Sequence, residues 1–110
     1  FCDHLFAVDD NGRVIACARI VQPGTAYNEV SIGRVASHPE LRGTGLGKQI
    51  MEKSIAFVED KYGKVPIRIE AQYYLEKFYL DFGFAAHGEV YLLDGIQHIE
   101  MLRGKAPVKV

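Results

Sequence analysis

The first third of the chain alternates short apolar runs with turn residues, a pattern typical of antiparallel strands. Leu5 to Val8 is a short apolar run, and the Asn-Gly pair at residues 11 and 12 favours a tight hairpin because it readily supplies positive φ angles. The return strand is predicted from Val14 to Gln22. Pro23-Gly24-Thr25 then predicts a second turn, and Tyr27 to Ser37 a long third strand.

After residue 45 the apolar period changes from two residues to between three and four, which predicts a helix. Gly63 is placed to cap the end of that helix. A helix of this pattern covers one face of a sheet. The apolar positions that recur at helical spacing are Leu46, Ile50, Met51, Ile55, Phe57, Val58 and Tyr62.

The last third of the chain predicts a strand, a second helix and a final hairpin. Val65 to Gln72 is the strand, and Tyr73 to Phe82 is an amphipathic helix closed by a glycine. Val90 to Leu93 and Ile96 to Leu102 flank an Asp94-Gly95 turn. The order of strands and helices predicts a single α+β domain.

Composition and charge exclude several classes of function. The chain has 110 residues, of which 48% are hydrophobic, so it can bury one core. Thirteen basic and fourteen acidic residues give a net charge of −1, which argues against nucleic acid or an anionic membrane as a partner. No apolar run approaches the roughly 20 residues of a membrane span, and we expect a cytoplasmic protein. Two cysteines cannot form a zinc site alone, so no metal is expected.

The most distinctive motif is the glycine-rich turn Arg42-Gly43-Thr44-Gly45-Leu46-Gly47, which leads into the first helix. Free backbone N–H groups at a helix N-terminus, approached through glycines, suit a pyrophosphate. A P-loop needs four residues between its glycines and then Lys-Ser or Lys-Thr, and a dinucleotide site needs G-x-G-x-x-G. The spacing here is R-x-x-G-x-G, so ATP, GTP and NAD fit poorly.

This turn resembles the acyl-CoA loop of the GNAT superfamily of N-acyltransferases. A second resemblance follows, because Gln72 to Phe84 is similar to the superfamily segment N-x-x-A-x-x-x-Y-x-x-x-G-F, with Gln72 and Leu75 replacing the asparagine and the alanine. The order of elements over residues 1–110 agrees with that superfamily. The combination that looks most like its ElaA-like subgroup is Ile32-Gly33-Arg34-Val35, Ala71-Gln72, Phe78-Tyr79, Gly83-Phe84 and Asp94-Gly95-Ile96-x-His98.

The resemblance implies an acyl-CoA N-acyltransferase fold, a mixed and mostly antiparallel sheet flanked by helices. It also implies transfer of an acetyl group from acetyl-CoA to a primary amine of a small molecule or peptide, by direct attack in a ternary complex. A homodimer is compatible with it. Because the chain begins with Phe1, and such domains carry a first strand and one or two helices before the hairpin, we expect an N-terminal segment that helps shape the acceptor site.

Residue roles follow from the same resemblance. In the family a tyrosine at the position of Tyr79 protonates the departing CoA thiolate, and a backbone N–H on the splayed central strand stabilises the oxyanion. The small residues of that strand suit main-chain binding of the pantetheine arm. The residues expected to bind CoA are Val35, Ala36, Ser37, Arg42, Gly43, Thr44, Gly45, Leu46, Gly47, Lys48, Gln72 and Tyr79.

The general base stays open between several residues. A primary aliphatic amine has a pKa of roughly 10.4, so it must lose a proton before it attacks. Glu29 lies on the central strand at a spacing similar to that of the glutamate in histone-acetylating relatives, and His98 lies on the last strand with Glu100 on its face. Arg19 and Arg34 alternate into apolar strands, where they could meet an acidic acceptor or pair with a carboxylate.

Two other functional classes compete with the enzyme. The domain could bind CoA or acyl-CoA without turnover, but Tyr79 argues for chemistry because a pure binder needs no acid for the thiolate. It could also be an interaction domain with a vestigial loop, against which the intact Arg42 and three glycines argue.

Overall fold

The computed structural model describes residues 2–25, 27–37 and 45–104. Its strands and helices follow the predicted order, with one short strand added. The elements are β1 (Cys2–Val8), β2 (Val14–Val21), β3 (Val30–Ser37), α1 (Leu46–Tyr62), β4 (Ile67–Gln72), a 3₁₀ turn (Tyr73–Leu75), α2 (Glu76–Leu80), β5 (Phe84–Ala86), β6 (Tyr91–Leu93) and β7 (Ile96–Arg103).

The strands form one sheet in the order β1-β2-β3-β4-β7-β5, and β6 also pairs with β7. The β3–β4 pair is parallel, and the other pairs are antiparallel. α1 forms the crossover between the two parallel strands, as a parallel connection requires. The predicted mixed, mostly antiparallel sheet flanked by helices is therefore confirmed.

The structure differs from the sequence prediction in the bounds of some strands, in the second helix and in one added strand. β3 begins at Val30 instead of Tyr27, so Glu29 lies just before the central strand and not on it, and β1 begins at Cys2 instead of Leu5. The helix predicted from Tyr73 to Phe82 is divided into the 3₁₀ turn and the five residues of α2, because Leu75 adopts φ −97° and ψ 8° between them. The strand β5 was not predicted, since three residues directly after a glycine are too short to show alternation.

The face of the sheet that packs on α1 forms the core. Alternate residues of four strands point to it, and α1 covers them with residues spaced by three or four. Within α1, the buried Ser54 hydroxyl donates a hydrogen bond to the Ile50 carbonyl at 2.7 Å. The core strand residues are Ala16, Ala18, Ile20, Val30, Ile32, Ile67, Ile69, Ala71, Ile99 and Met101, and the helix adds Leu46, Ile50, Met51, Ile55 and Val58.

The opposite face of the sheet, which we call the polar face, carries Arg68, Glu70 and Gln72 on β4 and His98 and Glu100 on β7. Its rows follow from the strand register. Gln72 is opposite His98 and Glu70 is opposite Glu100. This face positions most of the chemistry described below.

The parallel strands β3 and β4 pair over two rows and then part. Val30 pairs with Ile67 and Ser31 with Arg68, and these are the pairs between the two strands in the described part of the chain. β3 nevertheless continues to Ser37 and β4 to Gln72. A bulge on β3 contributes to this parting. Cys17 pairs with Ala36 and Arg19 with Gly33, so two steps along β2 lie opposite three steps along β3. An opening is thus left between β3 and β4, and we call it the β3–β4 opening.

Candidate active site

Among the described residues, main chain without a strand partner lines both sides of the β3–β4 opening. On one side, Val35, Ala36 and Ser37 lie on β3 beyond the last row that pairs with β4. On the other, Gln72 is the last residue of β4 and is half-buried. An extended ligand can add to such strand edges through main-chain hydrogen bonds. The sequence analysis assigns the pantetheine arm to this part of β3, and that assignment stays a prediction.

The N-terminus of α1 presents free backbone donors. Gly45 precedes the helix in the left-handed region, at φ 85°, and its carbonyl accepts the first helical bond from the Gln49 N–H at 3.0 Å. Among the described residues, which leave out 38–44, no side chain caps this end. The N–H groups of Leu46, Gly47 and Lys48 consequently have no acceptor within the helix. Such a terminus suits an anion.

Not all of the predicted CoA loop can be placed. Arg42, Gly43 and Thr44 lie outside the described residues, so their roles stay predictions. Lys48 is exposed and Leu46 is buried in the core. The described part of the motif is the helical end that would face a pyrophosphate.

The two sequence motifs meet at the start of α1. A Cβ built on Gly47 would lie 4.0 Å from Cζ of Phe78, so α1 begins directly against α2. The Phe78 and Tyr79 rings are 5.1 Å apart in an edge-on arrangement. The Phe78 ring therefore lies between Gly47 and the Tyr79 ring.

Tyr79 is packed as a core aromatic with an available hydroxyl. It is 8% exposed, and its ring meets Phe84 edge-on with centroids 6.0 Å apart. Burial raises the pKa of its phenol above the ordinary value, so the group stays protonated at neutral pH. None of the described residues hydrogen-bonds this hydroxyl. The residue can thus act as a proton donor.

His98 lies on the polar face at the open end of the β3–β4 opening, in the same row as Gln72. It is 9% exposed, and its Nδ1 lies 2.8 Å from the Ile96 carbonyl. Because a carbonyl only accepts, Nδ1 carries the proton of the neutral ring and Nε2 keeps a lone pair. His98 is therefore held in the tautomer that a general base at Nε2 needs.

Glu29 is engaged in a charge cluster with Arg68. Nε of Arg68 donates to Glu29 Oε1 at 2.8 Å and NH2 to Oε2 at 3.2 Å, and NH1 donates to Glu100 at 2.8 Å. The cation also lies 5.6 Å from the centre of the Tyr27 ring. The Arg68 hydrogen bonds lower the pKa of the Glu29 carboxyl. Glu29 therefore takes up a proton less readily than a free carboxylate.

The Arg68 cluster stands at the closed end of the opening. Ser31 and Arg68 form its last paired row, and Glu29 directly precedes β3. Glu29 is six residues from Val35, a distance of roughly 20 Å along an extended strand. A cavity of about 400 Å³ lies against the cluster, lined by Gly24, Thr25, Tyr27, Asn28, Glu29 and Arg68.

Sequence reasoning did not single out Arg68, Glu70, Tyr27 or Tyr91. A signal existed for two of them, because Arg68 and Glu70 alternate with Ile67, Ile69 and Ala71 and so mark a polar strand face. Tyr27 and Tyr91 carried no such signal. Glu100 shares the His98 face as expected, but it bonds Arg68 instead of the imidazole.

Arg19 lies on the polar face of β2, opposite Gly33 of β3. Its Nε is buried and has no hydrogen-bond partner in the described structure. The alternative of a carboxylate partner for Arg19 is thus not realised among those residues. The Arg34 side chain is not described.

Across the described ranges, no group of three or more His, Cys, Asp or Glu side chains could hold a metal ion. In the same ranges no helix has both the length and the apolarity to cross a membrane.

Comparison with known proteins identifies the class. Residues 3–103 match the acetyltransferase (GNAT) domain, and the chain belongs to this family of acyltransferases. Within the family it is ElaA-like. Protein ElaA of Escherichia coli is 39% identical over 93 residues, which cover 84% of this chain and 61% of ElaA. A UPF0039 protein of Synechocystis sp. is 37% identical over 99 residues, covering 90% of this chain and 64% of the relative. The chain thus spans less than two thirds of the length of these relatives.

Solved structures agree. An acyl-CoA N-acyltransferase from Pseudomonas aeruginosa superposes with a TM-score of 0.86 at 40% identity, covering 92% of this chain and 67% of that one. Escherichia coli ElaA superposes with a TM-score of 0.85 at 35% identity, over the same shares. The predicted acyl-CoA N-acyltransferase fold and ElaA-like resemblance are confirmed.

The Arg68 cluster predicts an acid-sensitive contribution to stability. Arg68→Ala leaves two carboxylates without their partner, so the free energy of unfolding at pH 7 should fall by about 1.5–3 kcal/mol in urea titrations. Because the folded-state pKa of Glu29 is lowered from 4.5, this stabilisation is complete above pH 4.5 and is lost as pH falls through the lowered pKa. The difference in the free energy of unfolding between the parent and Arg68→Ala should therefore become smaller as the pH falls.

The control is Arg13→Ala, which breaks an exposed ion pair with Asp9 in the first hairpin. Arg13→Ala should lower the free energy of unfolding much less than Arg68→Ala does, because water and salt screen an exposed ion pair. A gap between parent and Arg68→Ala that stays constant from pH 7 to pH 3 would contradict the assignment of this contribution to Glu29.

Proposed function

We propose that this domain transfers an acetyl group from acetyl-CoA to a primary amine of a small molecule or peptide, by direct attack in a ternary complex. The proposal rests on the β3–β4 opening, and on the contact of Phe78 with Gly47 that brings α2, the helix of Tyr79, against the N-terminus of α1. Membership of the GNAT family supports acyl-CoA as the donor.

The donor would supply a thioester carbonyl for attack by the amine. The main chain of Val35, Ala36 and Ser37 would bind the pantetheine arm along β3, with an N–H of this segment stabilising the oxyanion. The pyrophosphate would lie at the glycine turn, against the N–H groups of Leu46, Gly47 and Lys48 and the Arg42 guanidinium. Gln72 lies across the opening and would contact the same arm.

Two side chains would move the protons. The Nε2 lone pair of His98 would accept a proton from the amine, directly or through water, because Nδ1 is tied to the Ile96 carbonyl. Tyr79, kept protonated by burial, would donate to the CoA sulfur as it leaves. Glu29 stays an alternative base, but its Arg68 partner and its place at the closed end favour His98.

The first prediction concerns CoA binding. Arg42→Ala should remove a charge-assisted contact worth about 1.5–3 kcal/mol, and so weaken CoA binding by roughly ten-fold or more in calorimetry of the full-length protein. Lys53→Ala, an exposed position on α1, is the matched control and should leave the dissociation constant unchanged. Equal affinities for Arg42→Ala and the control would remove Arg42 from the site.

The second prediction concerns the leaving group. Tyr79→Phe should lower kcat by about 10²–10⁴ while CoA affinity and thermal stability stay nearly constant. The assay gives the full-length protein acetyl-CoA and a panel of polyamines, amino acids, aminoglycosides and peptides, and follows free thiol. Tyr74→Phe, 76% exposed, is the control. Full turnover by Tyr79→Phe would make the residue a core aromatic alone.

The same panel tests the alternative class, a CoA or acyl-CoA binding module without turnover. Tight CoA binding with no thiol released in the presence of any amine would favour that module. Retention of a buried, protonated Tyr79 beside the glycine turn supports the enzyme.

The third prediction separates the two candidate bases. His98→Gln should lower kcat/KM by about 10² or more, as expected for loss of a general base. Glu29→Gln should mainly lower stability, since it breaks the bidentate pair with Arg68. The reverse pattern, with a large rate loss only in Glu29→Gln, would assign the base to Glu29.

A further inference from the structure

Tyr91 crosses the sheet to reach a carboxylate two strands away. It lies on β6, which pairs with one side of β7, whereas Glu70 lies on β4, which pairs with the other side. The Tyr91 hydroxyl nevertheless donates a hydrogen bond to Glu70 Oε2. Its side chain must therefore pass over β7.

The residue that Tyr91 passes is His98. The two residues are cross-strand partners, and their rings stack with centroids 6.2 Å apart and planes at 27°. His98 is buried although the neighbouring Gln97 and Ile96 are exposed. The Tyr91 ring thus covers the imidazole on the outer side of β7.

A firm hairpin supports this arrangement. β6 and β7 are joined by Asp94 and Gly95, both at positive φ (53° and 77°), as a two-residue hairpin turn of this kind requires. The turn sets the register that brings Tyr91 opposite His98. Burial, followed by the hydrogen bond to Glu70, raises the pKa of the Tyr91 phenol, so the hydroxyl remains a donor at neutral pH.

We propose that Tyr91, anchored by Glu70, is a positioning residue that holds the His98 imidazole in place on the polar face. The inference rests on the proposed function, in which His98 Nε2 takes the proton of the amine. Two contacts then fix the orientation of the His98 imidazole. The Ile96 carbonyl accepts a hydrogen bond from Nδ1, and stacking on the Tyr91 ring fixes the plane of the imidazole. Glu70 acts through Tyr91 and does not touch the reacting atoms.

The test compares variants that keep or lose the anchor. Tyr91→Phe retains the stacking ring and loses the hydroxyl, so kcat should fall about ten-fold while the KM for the amine and the affinity for CoA change by less than about two-fold. Glu70→Ala should lower kcat as much as Tyr91→Phe does. Glu70→Gln should lower kcat less, because its amide oxygen still accepts a hydrogen bond from the Tyr91 hydroxyl. The double variant of Tyr91→Phe and Glu70→Ala should be no slower than either single variant.

A spectroscopic readout separates positioning from a general loss of structure. Long-range ¹H–¹⁵N spectra of the imidazole should report the Nδ1–H tautomer in the parent. In Tyr91→Phe and Glu70→Ala the ring is no longer held in one orientation, so its contact with the Ile96 carbonyl loosens and the spectra should report a mixture of tautomers. Tyr74→Phe should leave both the spectrum and the rate as in the parent. An unchanged tautomer and an unchanged kcat in Tyr91→Phe would overturn the proposal.

The two proposals fail in different ways. The imidazole spectrum needs no substrate, so it tests the anchoring of His98 even if no amine is acetylated. A shifted tautomer together with a protein that acetylates nothing would refute the proposed function alone. If the parent is active and neither its rate nor its imidazole spectrum changes in Tyr91→Phe or Glu70→Ala, the positioning role alone is refuted.

Discussion

The parting of β3 from β4 is the constraint on which the site depends. In the described part of the chain these two parallel strands share two paired rows, which leaves main-chain groups beyond them without strand partners. Such groups are costly when buried unless water or a ligand satisfies them. The strands stay together at one end because Arg68 joins Glu29, just before β3, to Glu100 on β7. The bulge on β3 keeps them apart at the other end. α2 follows the end of β4, and Phe78 of α2 lies against Gly47 at the start of α1.

The fold could be predicted well because each part of it leaves a local signal. Asn-Gly and Asp-Gly turns, apolar alternation and the glycine after each helix are properties of neighbouring residues, and they placed six of the seven strands and both helices. β5 was not predicted because three residues are too few to show a period. The 3₁₀ turn was not predicted because its three residues continue the apolar pattern of the helix that follows.

The site could be predicted only in part. The glycine turn and Tyr79 carry recognisable spacing, and Phe78 against Gly47 brings them together. The state of each acid and base depends instead on residues distant in sequence. In the sequence Glu29 looks like a free carboxylate, but in the structure it accepts hydrogen bonds from Arg68, thirty-nine residues later. In the sequence His98 looks like an isolated histidine, but the β6–β7 register stacks the Tyr91 ring on it. Such pairings arise from strand order, which no local pattern reveals.

The short β3–β4 ladder also divides the sheet into two groups of strands. β1, β2 and β3 form one group under α1, and β4, β7, β5 and β6 form the other with α2. In the described part of the chain the two groups are joined by two rows of parallel pairing, by the Arg68 cluster and by the apolar core that both share with α1. Regions joined by so little backbone pairing can open separately below the global free energy of unfolding. A ligand that adds its own main-chain-like hydrogen bonds inside the opening would couple the two groups, so occupancy would govern the cooperativity of unfolding as well as its midpoint.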